Sequence, residues 1–385
     1  MHTQKVAVLG ATGSIGKSTL DILRNERERF KPVLFSAHKN REELVKLKNE
    51  FPGAITALAG HDPDAENSLD SKIDFFGRQG LLDAITSAGA DISVNGISGA
   101  AGLEPSLAVL NAGSDLALAN KETVVMAGSL IFALAREKNL NIIPVDSEHS
   151  AVFKLIEAHG KDNVSEIILT ASGGPFRNYS MEQLKNVCIE DALTHPTWNM
   201  GPKITVDSAT MANKGLEVIE ASRLFGFPGE KIKIAIHPQS IVHSMVRLKN
   251  GAVYAQMSKP DMKLPIHEAL SWPKTEDSSY GLLDFDSINL TFEKYDPEKF
   301  PMLGLAYNAL SGGSHLPIVY NAANETAVAA FFRGKIGFLE ISAVVGYVMD
   351  KSRILKDGSY TIEAVLEQDR EARRMAEDYI LNGRS

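Results

Sequence analysis

An apolar run, Val6-Ala7-Val8-Leu9, leads directly into GATGSIG at residues 10–16, and a helical pattern takes over from Lys17 to about Arg24. A run apolar on every side reads as a strand buried on both faces, which belongs in a parallel sheet covered by helices. The glycines let the backbone come close to a pyrophosphate, and the helix that follows turns its N–H groups toward the anion. The alternation then continues. Strands are expected at 32–37, 54–58, 92–94, 116–118 and 141–145, and helices at 41–51, from Leu81 and at 102–112. Such a βα series predicts an α/β fold that opens with a Rossmann-like parallel sheet.

The glycine spacing is G-x-x-G-x-x-G rather than G-x-G-x-x-G. Gly16-Lys17-Ser18 imitates the end of a nucleotide triphosphatase loop, but Ala11 stands where that pattern requires glycine. The second strand runs into His38-Lys39-Asn40, with no acid for a ribose hydroxyl or for magnesium. A basic, amide-bearing turn suits the 2′-phosphate of NADP. Gly96-Ile97-Ser98-Gly99 and Asn120-Lys121-Glu122 also follow strands, at the edge where open α/β sheets bind ligands. The first reads equally as turn glycines and the second as a helix-start charge pair; Lys121 is placed to reach a substrate hydroxyl.

In the middle of the chain, Asp146 and Glu148 follow a strand, and on extended backbone residues two apart point the same way. Two facing carboxylates hold magnesium or manganese rather than zinc, although the same residues also describe an ordinary helix start. A strand at 166–170 enters Ala171-Ser172-Gly173-Gly174-Pro175-Phe176, a phosphate-binding turn or merely a tight one. Residues 195–220, HPTWNMGPKITVDSATMANKGLEVIE, open as a loop carrying His195, Trp198 and Met200, with the makings of a lid. A β-prone run, Ile204-Thr205-Val206, is expected next, then an N-cap at Asp207 or Ser208 and a helix from Ala209 to Leu224. On that helix Asn213 and Lys214 share a face with Glu217, while Leu216, Ile219 and Leu224 turn to a core. Ser208 at a helix N-terminus would make an anion seat; a plain surface helix with an ion pair is the alternative.

At 385 residues two or three domains are expected. The net charge of −8 argues against nucleic-acid partners, so an anionic ligand must be held by local groups. The single cysteine, Cys188, lies in a helical pattern that suits core packing better than nucleophilic attack, and it points to a reducing compartment. The longest uncharged apolar stretch, residues 123–135, is too short to span a membrane, and no targeting segment is visible; the expectation is a cytoplasmic protein with no membrane partner. Runs at 242–246 and 253–257 flank Asn250-Gly251 as a hairpin, with His237 and His243 as structural residues. Trp272-Pro273 marks an exit, 274–300 a linker with one strand at 288–292, and Met302 onward a set of helices broken at Gly312-Gly313, 334–337 and Asp357-Gly358.

Taken in order, residues 10–16, Asn120-Lys121-Glu122, VDSEH at 145–149, TASGGPF at 170–176, residues 195–220 and HPQSIVHSM at 237–245 resemble the 1-deoxy-D-xylulose 5-phosphate reductoisomerase family over nearly the whole chain. The resemblance implies an enzyme that converts this phosphorylated ketose to 2-C-methyl-D-erythritol 4-phosphate in the non-mevalonate route to isoprenoids. The skeleton would rearrange by retro-aldol and aldol steps and then accept hydride. It implies NADPH and Mg²⁺ or Mn²⁺ as cofactors, with Asp146, Glu148 and Glu217 on the metal. Ser172, Ser208, Asn213 and Lys214 would grip the phosphate, Lys121, Ser147 and His195 would lie at the hydroxyl-ketone end, and Trp198 would cover the substrate. Thr12, Gly13, Ser14, Ile15, His38, Lys39, Asn40, Asn120, Glu122 and Gly201 would contact NADPH; the family often has glycine where His38 stands. The implied organisation is a cofactor domain at 1–146, a central α/β catalytic domain at 147–273, a linker at 274–300 and a C-terminal helical bundle at 301–385, assembled as a homodimer through the central sheet. The rivals are an NADP-binding regulatory protein without turnover, and a semialdehyde dehydrogenase using Cys188 as nucleophile.

Overall fold

Among the described residues, seven parallel strands carry the first part of the chain: β1 Gln4–Leu9, β2 Phe30–Ala37, β3 Ile55–Leu58, β4 Phe75–Phe76, β5 Ile92–Asn95, β6 Asp115–Leu118 and β7 Ile142–Pro144. This computed structural model describes residues 3–60, 72–195, 197–198, 200–352 and 360–383. The strand order is β4-β3-β2-β1-β5-β6-β7, so the direction of winding reverses between β1 and β5. Val6, Val8 and Leu9 are fully buried, as the continuous apolar run required. β4 was not anticipated because two residues are too few to show a period.

The chain forms two compact units, and neither is continuous. The first comprises Met1–Thr123, Ile131–Ser150 and Asp261–Gly281. Its last segment contributes the helix Lys263–Ser271, which buries Ile266, Ala269 and Leu270 and lies against the helix Ser14–Asn25. Arg29 staples this junction: its guanidinium pairs with Glu26, donates to the Ser271 hydroxyl at 2.9 Å and lies 3.1 Å from the His267 ring.

The second unit comprises Val124–Leu130, Ala151–Pro260 and Leu282–Ser385. Its sheet has the order β11-β10-β8-β9, where β8 is Val164–Ala171, β9 Ile232–Ile236, β10 Val242–Leu248 and β11 Val253–Met257. β8 and β9 are parallel; the other two pairings are antiparallel, and Gly251 (φ 89°) makes the tight turn before β11. β9 escaped the sequence reading, while the strand expected at 288–292 is reduced to a single bridge between Ile236 and Glu293.

The C-terminal helices are Pro301–Ser311, Leu316–Phe332, Glu340–Lys351 and Ile362–Asn382. Breaks fall at Gly312-Gly313 and around Gly334 as expected; Asp357-Gly358 lies outside the described residues. Among the described residues no helix is long and apolar enough to cross a membrane. Cys188 is not a core residue. It is exposed, caps the short helix Ile189–Ala192 and donates its thiol to Asp191 at 3.0 Å, and that bond raises its pKa. A thiol held protonated by a neighbouring acid is a poor nucleophile, which speaks against Cys188 as the nucleophile of a dehydrogenase.

Candidate active site

In the first unit every candidate residue lies just past the carboxyl end of a parallel strand. After β1, Gly10 adopts φ +77°, and a Cβ there would stand 3.1 Å from the Gly96 carbonyl oxygen. Gly16 is tighter still: a Cβ would meet the Ala11 carbonyl carbon and the Gly10 oxygen at 2.4 Å, so only glycine lets the helix start this close to the strand. Gly13 is the N-cap and supplies no side chain, which leaves the first-turn N–H groups for a ligand's phosphates. After β2, His38, Lys39 and Asn40 are exposed, and Asn40 also caps the helix Arg41–Glu50 by accepting from the Glu43 N–H at 3.1 Å.

After β6, Asn120 is buried and its amide is heavily engaged. It accepts from the Thr123 N–H at 2.9 Å and donates to the carbonyls of Ile97 and Gly99 at 2.7 and 2.8 Å, and to Glu122 at 3.1 Å. One side chain thereby ties the loop after β5 to the start of the helix Lys121–Glu137. Lys121 is buried and its ammonium pairs with the Asp146 carboxylate at the end of β7. Asp146 and Glu148 do not share an extended backbone, because the helix Ser147–His159 has already begun. Glu148 stands in its first turn, where it accepts from the Ser147 hydroxyl at 2.7 Å.

In the second unit, β8 ends in the loop of Ser172, with Gly173 and Gly174 both at positive φ. A Cβ on Gly174 would lie 2.7 Å from the Ser208 carbonyl oxygen, so this loop rests on the last turn of the helix Pro202–Ala209. The Ser172 hydroxyl is 3.0 Å from His195 Nε2. His195 Nδ1 accepts from the backbone N–H groups of Thr197 and Trp198 at 3.1 and 2.9 Å, so the proton of the neutral ring sits on Nε2 and is donated to Ser172. Burial lowers the pKa of this histidine, favouring the neutral form. Trp198 lies beside His243, with ring centroids 6.2 Å apart.

The helix Ala212–Phe225 bears the strongest cluster. Glu217 is fully buried, accepts from Asn213 Nδ2 at 2.5 Å and pairs with the Lys214 ammonium, as the three- and four-residue spacings required. Leu216 and Ile219 are buried and Leu224 packs against the same core. A fully buried carboxylate is costly unless paired, so this arrangement is hard to account for as a surface ion pair.

Two expectations here are corrected. Ile204-Thr205-Val206 is not a strand but part of the helix Pro202–Ala209, which Gly201 caps and Pro202 opens; glycine followed by proline at the first helical position was the overlooked signal. Ser208 therefore ends one helix instead of starting another, and the next begins at Ala212 after Met211 turns left-handed at φ 64°. The helix dipole opposes an anion at Ser208, and only its side chain and the chain reversal remain to make a seat. His237 and His243, expected to be structural, both have protein partners: the first is 2.9 Å from the Thr291 carbonyl oxygen and accepts from the Ile241 N–H, and the second is 2.8 Å from the Ser258 hydroxyl. Asp207, expected as a possible cap, instead lies buried inside the helix Pro202–Ala209 and is bonded to Lys203 and Asn324; sequence reading missed Arg223, which donates to the Val124 and Val125 carbonyls beside a kink at Ala127. Two asparagines in the largely apolar run at 316–332 were the available clue to the setting of Asp207.

A dinucleotide turn at the reversal point of a parallel sheet, with a basic loop after β2, in a chain that also buries a carboxylate beside lysine and amide, defines an NADP-dependent oxidoreductase. Three family models match: 1-deoxy-D-xylulose 5-phosphate reductoisomerase at residues 6–128, the C-terminal domain of that enzyme at 142–225, and the DXP reductoisomerase C-terminal domain at 257–375. The chain belongs to the 1-deoxy-D-xylulose 5-phosphate reductoisomerase family. A reductoisomerase of that name from Treponema denticola is 48% identical over 384 residues, covering 99% of this chain and 98% of the relative. The solved enzyme from Zymomonas mobilis in complex with NADPH is 41% identical with a TM-score of 0.89, covering 99% and 100% of the two chains. A DOX-P reductoisomerase solved with NADPH, fosmidomycin and magnesium is 37% identical with a TM-score of 0.91, covering 98% of each.

Proposed function

We propose that this chain converts 1-deoxy-D-xylulose 5-phosphate to 2-C-methyl-D-erythritol 4-phosphate, using NADPH and a divalent metal, in the non-mevalonate route to isoprenoids. The observation that carries this reading is the buried Asn213-Lys214-Glu217 face, in a chain 48% identical over its length to a relative named for that reaction. Asp146 and Glu148 in the first unit and Glu217 in the second are assigned to the metal. The donor chemistry fits: all three offer carboxylate oxygens, which suit Mg²⁺ or Mn²⁺, and magnesium is present in a solved relative 37% identical. When bound, the metal supplies Lewis acidity at the ketose oxygens and NADPH supplies hydride.

The chain's own residues do the rest. Ser172, Ser208, Asn213 and Lys214 hold the phosphate, whose binding energy is remote from the carbons that break and rejoin in the retro-aldol and aldol sequence. Neutral His195 offers its Nε2–H at the polar end of the substrate, and Trp198 lies over it to exclude water. Lys121 and Ser147 orient the hydroxyls. Thr12, Gly13, Ser14 and Ile15 receive the pyrophosphate, and His38, Lys39 and Asn40 the 2′-phosphate. Asn120, Glu122 and Gly201 complete the nicotinamide side. The protein acts in the cytoplasm as a homodimer; the edge strand β11, with Val253 and Tyr254 exposed, supports pairing through the second unit's sheet.

The test is NADPH oxidation with 1-deoxy-D-xylulose 5-phosphate and Mn²⁺, with and without chelator. Turnover that chelation abolishes is expected. Tight NADPH binding with no turnover on this ketose would overturn the assignment and leave the regulatory reading.

A further inference from the structure

The helix Leu316–Phe332 is buried almost throughout, yet it carries Tyr320 and Asn324 one helical turn apart with essentially no exposure. A buried amide is tolerated only where it is hydrogen-bonded, so its partner is informative. Asn324 Nδ2 donates to Asp207 Oδ1 at 2.8 Å, and Lys203, one turn before Asp207 on its own helix, holds Oδ2 at 2.8 Å. The Asp207 side chain is 1% exposed.

Asp207 stands where the candidate phosphate donors converge. It immediately precedes Ser208, whose carbonyl supports the Ser172-Gly173-Gly174 loop. Its own carbonyl accepts from the Thr210 hydroxyl at 3.2 Å, and the Thr210 oxygen in turn receives the Ala212 N–H at 3.3 Å, at the head of the helix bearing Asn213 and Lys214. Tyr320 grips the same place from the same face: its hydroxyl donates to the Met302 carbonyl at 3.2 Å and lies 3.5 Å from the Ala212 carbonyl oxygen. Gly215 makes room for it, since a Cβ would stand 2.5 Å from that hydroxyl.

We propose that Asp207, clamped between Asn324 and Lys203, is a positioning residue that holds Ser208, the Ser172 loop and the Asn213-Lys214 turn in phosphate-binding register. It touches no ligand itself. The clamp fixes how one helix ends and the next begins across Met211, and a shift there moves donors on three segments at once. Small misplacements of binding groups weaken binding and turnover steeply. The inference rests on the phosphate assignment made under the proposed function.

The test compares Asn324→Leu, Asp207→Asn and the reciprocal pair Asp207→Asn with Asn324→Asp, beside Lys214→Met as a control on the seat itself. Asn324→Leu is expected to raise KM for 1-deoxy-D-xylulose 5-phosphate and the inhibition constant of inorganic phosphate by about tenfold or more. KM for NADPH should change far less than the phosphate constants, since of the residues assigned to the cofactor only Gly201 belongs to the clamped helix, as its N-cap, at the end remote from Asp207. The reciprocal pair, which restores an amide facing a carboxylate, should recover most of the loss. Equal decline of all parameters with the folded fraction, or unchanged phosphate constants in a folded variant, would overturn the proposal. Should Asn324→Leu fail to fold, Asp207→Asn, which keeps the shape, decides in the same way. If Lys214→Met also leaves the phosphate constants unchanged, the phosphate assignment itself falls; if it raises them while the clamp variants do not, only the positioning role falls.

Discussion

His195 shows how local backbone selects a protonation state. Two N–H groups point at Nδ1, so the proton of the neutral ring is fixed on Nε2, and burial lowers the pKa from its ordinary 6.5. Nitrogen NMR should find the Nε2–H tautomer and a titration midpoint below 6.5. The unfolded chain takes up this proton at the higher pH, so the stabilisation from keeping the ring neutral is whole above 6.5 and is lost as the pH falls through the lower folded value. Glu217→Gln keeps the shape but removes a charge assigned above to the metal; turnover should fall by about a hundredfold or more while NADPH binding, followed by fluorescence, stays intact. The face shared by Asn213, Lys214 and Glu217 was legible because helical spacing is arithmetic. The setting of Ser208 was not, because Met211 adopts a left-handed conformation that no residue type nearby announces.

At the scale of elements, the parallel strands were readable from their unbroken apolar runs, and Gly16 shows why the turn after β1 is spelled as it is. Gly16→Ala should push the helix Ser14–Asn25 away from the strand and raise the dissociation constant of NADPH by at least about tenfold, since its pyrophosphate must meet backbone N–H groups. Asn120→Ala removes an N-cap and strands the buried Gly99 carbonyl and the partly buried Ile97 carbonyl of the loop after β5. It should cost about 2–3 kcal/mol, visible as a lower urea midpoint at an unchanged slope. Elements that misled had ambiguous chemistry. Ile204-Thr205-Val206 is β-branched and still helical, because Pro202 presets the first turn and burial of Thr205 and Val206 outweighs a propensity of a few tenths of a kcal/mol per residue. β9 was lost between a glycine-rich bend and a histidine.

For the molecule as a whole, the substrate was legible only through motifs strung along the chain; periodicity and composition delivered an α/β oxidoreductase and no more. Chelation should stop turnover while leaving far-UV circular dichroism and NADPH affinity unchanged, because the assigned metal ligands already have protein partners, Lys121 for Asp146 and Lys214 for Glu217. The grouping of the chain was least legible. Contacts that join residues far apart in sequence leave no mark on local pattern, so nothing near residue 261 signalled a return to the first unit. That return governs biosynthesis. A nascent chain that has left the ribosome as far as Ser150 holds the strands β1 to β7 but lacks the helix Lys263–Ser271 that covers part of their helical layer. Until translation has passed through all of Ala151–Pro260, that apolar surface stays open, and the interval is one in which a chaperone has something to hold.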